Sequence, residues 1–184
     1  MFIKFEESYI IILYLYIKYI IKMFTLSIVG FSIILLYTLY CVIKCGCIPE
    51  SISASVYAFD TADKWIFSFV MWIVGFMIAP YLFTIVSEST KFLVWWMIVG
   101  LFGIGADPLK EGSKNIVHYV SAAICGISSQ ALILFNLPQV LFLWALYVPY
   151  TLVWEYSGKN MFFAEMIMII GIMLMCILLW MTLI

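Results

Sequence analysis

The stretch MFFAEMIMIIGIMLMCILLWMTLI, Met161–Ile184, carries one charged residue, Glu165, in a run long enough to cross a bilayer. A helix spans the hydrocarbon layer with about 20 apolar residues. Five further runs meet or approach that length: Phe24–Ile43, Trp65–Ile85, Phe92–Ala106, Ile116–Phe135 and Val140–Trp154. Open sheet edges cannot be satisfied in lipid, and no barrel-like alternation recurs, so strands are excluded as spans. The fold expected is an all-α integral membrane helix bundle, a single domain over residues 23–184 with about six transmembrane helices.

Composition leaves no soluble alternative. Hydrophobic residues make up 67% of the chain and charged ones 10%, with a mean hydropathy of +1.18. A soluble chain of 184 residues has too little core to hide that much apolar surface. The nine basic residues are all lysine and the net charge is −1, which argues against nucleic acid as a partner. No small-residue cleavage site follows the first apolar run, as a signal peptide would require. Cys41, Cys125 and Cys176 lie inside apolar runs, where cysteine packs as a small apolar residue. Cys45 and Cys47 are too close along the chain for an unstrained mutual disulfide.

Residues 1–22 read differently. Lys4, Glu7, Ile11, Tyr14, Lys18 and Lys22 fall three and four apart, drawing a thin polar stripe along a helix. An interfacial amphipathic helix leading into the first span is expected. The competing reading is that translation starts at Met23, directly before that span.

With six spans, the connections 44–64, 107–115 and 155–160 share one side, here face B, and 87–91 and 136–139 lie on the opposite face A. Glu50, Asp60, Asp63, Asp107, Glu111 and Glu155 therefore gather on face B. Lysines do not set the orientation. Lys44, Lys64, Lys110, Lys114 and Lys159 on face B are balanced by Lys4, Lys18, Lys22 and Lys91.

The residues that could carry chemistry cluster near face B. On a helical wheel His118, Ser121, Ala122, Cys125, Ser128 and Ser129 share one side of the fourth span. Ser121, Cys125 and Ser129 form a ladder of small residues that suits a close helix–helix seam; a groove lined by His118 is the alternative. Glu165 lies inside the sixth run, where an ionisable group is a functional hypothesis by default. Its place near a helix N-terminus also suits a plain interfacial anion. Ser51, Ser53, Ser55 and Tyr57 belong to IPESISASVYAFDTADKW, which reads as an extended stretch over the bundle mouth or as an interfacial helix. The candidate polar cluster is thus His118, Glu165, Asp107, Asp60, Ser51, Ser53, Ser55, Tyr57 and Glu155.

His118 is the only histidine. With Cys45 and Cys47 it matches no zinc spacing, so no metal is assigned and no cofactor is expected. A hydrogen bond to Asp107, Glu165 or the hydroxyls of Ser51–Ser55 is expected instead. No G-x-S-x-G elbow accompanies the serines, which leaves serine catalysis without its usual frame. Asp107 and Pro108 signal one helical turn between the third and fourth spans, and Pro80 and Pro149 are expected to kink the second and fifth and open a cavity between them.

PESISASVY (Pro49–Tyr57), GADP (Gly105–Pro108), His118–Tyr119 and NMFFAE, with Met161–Glu165 at its core, resemble a family of small polytopic membrane proteins of gut anaerobic bacteria and their phages. The resemblance covers roughly residues 24–170. It implies a bacterial or phage origin and the bacterial cytoplasmic (inner) membrane; the family has no assigned activity. The function expected is non-catalytic, acting through membrane partners or a homo-oligomer, or as a phage–host accessory factor. Two alternatives stand beside it: a lipid-binding or lipid-modifying membrane enzyme using the face around His118 and Glu165, and a small channel or transporter. Midplane charges and broken helices, which transport favours, are scarce.

Overall fold

The computed structural model describes residues 2–59, 64–106, 115–147 and 159–183, with side chains from Ile10 onward except Tyr57 and Ala58. It is all-helical, and five helices are long and apolar enough to cross a membrane. In chain order the helices are α1 (Phe2–Cys45), α2 (Lys64–Ile85), α3 (Lys91–Ala106), α4 (Ile116–Asn136) and α5 (Asn160–Leu183). The chain is an integral membrane protein.

α1 joins the expected N-terminal helix and the first span without a break. It is one helix of 44 residues, about 66 Å at 1.5 Å per residue, and it runs unbroken through Lys22 and Met23. No glycine or proline precedes Gly30, so nothing local ends a helix there; a polar stripe changes what a helix faces, not whether it continues. α1 stops at Cys45 because Gly46 takes a left-handed backbone, φ 67°, and its amide donates to the Ile43 carbonyl at 3.2 Å. Lys44 in that last turn complements the helix dipole.

On face A, three aromatic residues and one asparagine tie the helix ends together. Phe24 of α1 stacks on Trp180 of α5 at 4.5 Å and meets Tyr81 of α2 edge-on at 5.3 Å. The fully buried Tyr81 hydroxyl donates to the Cys176 carbonyl. Asn136, the last residue of α4, accepts from the Ser87 amide at 3.0 Å and donates to Thr90 Oγ1 at 3.1 Å, fastening α4 to the α2–α3 turn. The exposed Lys91–Glu88 pair beside them adds little stability.

α3 and α4 approach most closely where small residues face each other. A Cβ on Gly100 would lie 2.6 Å from the Cys125 amide nitrogen and 2.7 Å from the Ser121 carbonyl oxygen. A Cβ on Gly103 would collide with the Ser121 hydroxyl. The ladder residues Ser121 and Cys125 therefore lie against two glycines of α3, and backbone meets backbone there. Ser129, one rung further, faces the bundle interior instead.

The expected fifth span is described only as far as Tyr147. It opens as a 3-10 helix, Pro138–Leu143, and the remainder of the run to Trp154 lies outside the described residues. The described helix ends on either side of it lie on opposite faces: α4 finishes beside Ser87 on face A, whereas α5 begins on face B, where the Phe162 amide donates to the Glu50 carbonyl at 2.9 Å.

Candidate functional site

The segment after α1 folds inward because Ile52, Val56 and Phe59 are apolar and its hydroxyls satisfy its own backbone. Ser51 Oγ accepts from the Ala54 amide at 2.9 Å and starts a 3-10 turn, Ala54–Ala58. This tight turn replaces both the extended stretch and the interfacial helix expected there. Ser55 Oγ donates to the Ile52 carbonyl at 2.5 Å and contacts Cys41 Sγ at 3.1 Å. Ile52, Val56 and Phe59 are buried, with Phe59 against Tyr37 and Tyr40 of α1. The segment is a plug seated in the face B end of the bundle.

Glu165 meets this plug from α5. The Ile52 amide donates to its Oε2 at 2.6 Å, a short contact of the kind a carboxylate acceptor makes. Among the described residues its other oxygen, Oε1, has only the Ser53 hydroxyl at 3.5 Å, the outer limit of a hydrogen bond. Among the described residues no lysine pairs with Glu165; the ion pair there is Lys91–Glu88 on the other face.

Beneath the plug lies a cavity of about 150 Å³ lined by all five helices. Glu165 and Ser53 form its face B end, with Ile52 alongside. Methionines 71, 97 and 168 come from α2, α3 and α5, Phe31 from α1, and Ala122 and Ser129 from α4. On α2, α3, α4 and α5 the lining residues cover about two turns each, so the cavity runs about 10 Å along the bundle axis. Its α2 wall stops at Ile78, short of Pro80, and α2 continues as helix through that proline. Pro149, and with it the opening expected between the second and fifth spans, lies outside the described residues; the cavity here is walled by α1–α5.

The candidate residues divide into two groups. Ser51, Ser53, Ser55 and Glu165 come together at the cavity's face B end. His118, 2% exposed, sits elsewhere, between α4 and α2 with its ring 6.4 Å from that of Phe67. Glu165 and the three serines direct their hydrogen bonds to one another, to the plug's backbone and to Cys41 rather than to His118. Asp60, Asp107 and Glu155 lie outside the described residues, as does the Tyr57 side chain. Sequence reasoning missed the Ile52 amide as the partner of Glu165, because the two stand 113 residues apart. It also missed Gly100 and Gly103, although their spacing of three on an apolar helix was a usable signal.

Fold and site together define a polytopic helical membrane protein with a carboxylate-ended cavity between its helices. No protein-family model, curated protein or solved structure matches the chain.

Proposed function

We propose that this protein is a non-catalytic membrane protein that takes an amphiphile from the surrounding bilayer into the chamber between α1 and α5. One observation carries the reading: an apolar cavity walled by five helices ends at a single carboxylate and a hydroxyl. Such a surface suits a ligand with an apolar body and one polar end. Three methionines in the wall supply adaptable contacts for a flexible chain. Glu165 holds the plug through Oε2 and His118 packs beside Phe67 in the α2–α4 interface, which supports a binding role over a catalytic one. The resemblance to proteins of gut anaerobes and their phages supports the bacterial cytoplasmic membrane as the location, and a role in phage–host interplay as the setting.

The test is ligand-linked stability of the full chain in phosphatidylcholine nanodiscs. A saturating single-chain alcohol such as n-decanol should stabilise the protein, by about 2.7 kcal/mol at a hundredfold excess over Kd. Ala122→Phe, which puts a ring into the chamber, should lose that response. An equal response in both proteins would contradict binding in the chamber, and no response in the wild type would end the proposal.

A second reading, assembly with a membrane partner or a second copy, has its own support. The N-terminal half of α1 extends past Phe24, and Ile10–Ile12 and Tyr14–Tyr16 are more than half exposed there. Contiguous apolar surface of that extent marks an interaction face in lipid or with protein.

A further inference from the structure

The chamber's one acidic end selects among amphiphiles. We infer that the head group taken at Glu165 is an ammonium, and that the occupant is a single-chain alkylamine-type cation rather than a neutral lipid fragment. This inference rests on the amphiphile-binding reading and names its ligand class.

The two carboxylate oxygens are not equivalent. Oε2 is held by the Ile52 amide at 2.6 Å, while Oε1 keeps acceptor capacity beyond its long contact with Ser53. Glu165 lines the cavity, and Oε1 is the oxygen with acceptor capacity left for an incoming donor while Oε2 holds the plug. A carboxylate taken out of water needs an opposite charge or several donors to offset its desolvation. Here it has one amide, one distant hydroxyl and, among the described residues, no lysine. An ammonium supplies both the charge and up to three N–H donors, which an alcohol cannot.

Size selects the tail. A chamber of about 150 Å³ holds one ring or one alkyl segment, the scale at which an apolar cavity accepts benzene. Phe31 adds an aromatic face to the wall, and the methionine thioethers are soft and polarisable.

The experiment compares two photoreactive ligands that differ only at the head, a diazirine-bearing n-decylamine and the matching n-decanol. The full chain is held in phosphatidylcholine nanodiscs, and adducts on Met168, Ile169 and Leu101 are mapped by mass spectrometry with unlabelled competitor. The amine should label these residues at about tenfold lower concentration than the alcohol, the effect of one favourable charge pair on a binding constant. Glu165→Gln should bring the two concentrations together while alcohol labelling persists. Equal labelling by the two ligands in the wild type would overturn the ammonium assignment and leave amphiphile binding standing. A Glu165→Gln variant that kept the amine preference would remove Glu165 as its source and overturn the inference. Labelling of the chamber by neither ligand would overturn both readings.

Discussion

Gly100→Ala should destabilise the bundle by about 1–3 kcal/mol, the usual cost of forcing a methyl into close packing. The size of the effect follows from what the methyl meets. At Gly100 it strikes the Cys125 amide nitrogen and the Ser121 carbonyl oxygen, both within 2.7 Å, and helix backbone cannot rotate aside as a side chain can. Relief requires α3 and α4 to separate, which loosens the closest helix contact in the bundle. Gly126→Ala on the same α4 is the control, because its methyl would meet only the Met168 thioether at 3.3 Å, the flexible part of a long side chain. Thermal unfolding in lipid nanodiscs should show a clear loss for the first variant and a shift of a few tenths of a kcal/mol for the second. Equal losses would mean that the α3–α4 seam is not built on glycine contact.

Glu165→Leu should cost about 1–3 kcal/mol, while Glu165→Gln stays close to the wild type. Two effects oppose one another in the leucine variant. Removing a carboxylate from an apolar setting relieves its desolvation, and an apolar replacement of similar volume is often tolerated on that ground. The Ile52 amide, however, keeps its place in the buried plug and loses its acceptor. The unpaired donor outweighs that relief, because burial in the plug keeps the amide from water. Glutamine restores an acceptor oxygen at nearly the same reach. Limited proteolysis of the segment between Gly46 and Phe59, read beside the unfolding temperature, separates a released plug from a general loss of stability. Leucine and glutamine variants that behave alike would make Glu165 an interfacial anion with no hold on the plug.

The spans were legible because bilayer thickness sets a length that apolar runs either reach or miss, and Trp65–Ile85, Ile116–Phe135 and Met161–Ile184 reach it without ambiguity. The gathering of Ser51–Ser55 and Glu165 near one face followed from counting those crossings. What stayed hidden was of two kinds. The continuity of α1 depended on the absence of any break signal around Met23, whereas the charge stripe drew attention to a boundary. The Ile52–Glu165 bond and the chamber beneath it are products of packing between distant segments, and no local pattern encodes a backbone amide as a partner. His118 stands apart: being the sole histidine made it conspicuous, its ring lies 6.4 Å from that of Phe67, and Asp107, one of its expected partners, lies outside the described residues.

The chamber, its carboxylate and its plug all require the end of α1 and the start of α5 to meet on one face, opposite the end of α4. Labelling with a membrane-impermeant maleimide measures this directly. Cys47, exposed just after α1, and Met161→Cys at the start of α5, where the residue is 60% exposed, should react from one side of sealed vesicles. Ser89→Cys and Gln139→Cys, at exposed positions on face A and with Cys45 and Cys47 replaced by serine, should react only from the other side. Reaction of Met161→Cys and Gln139→Cys from the same side would put the end of α4 and the start of α5 on one face, separate Glu165 from the plug and contradict the site.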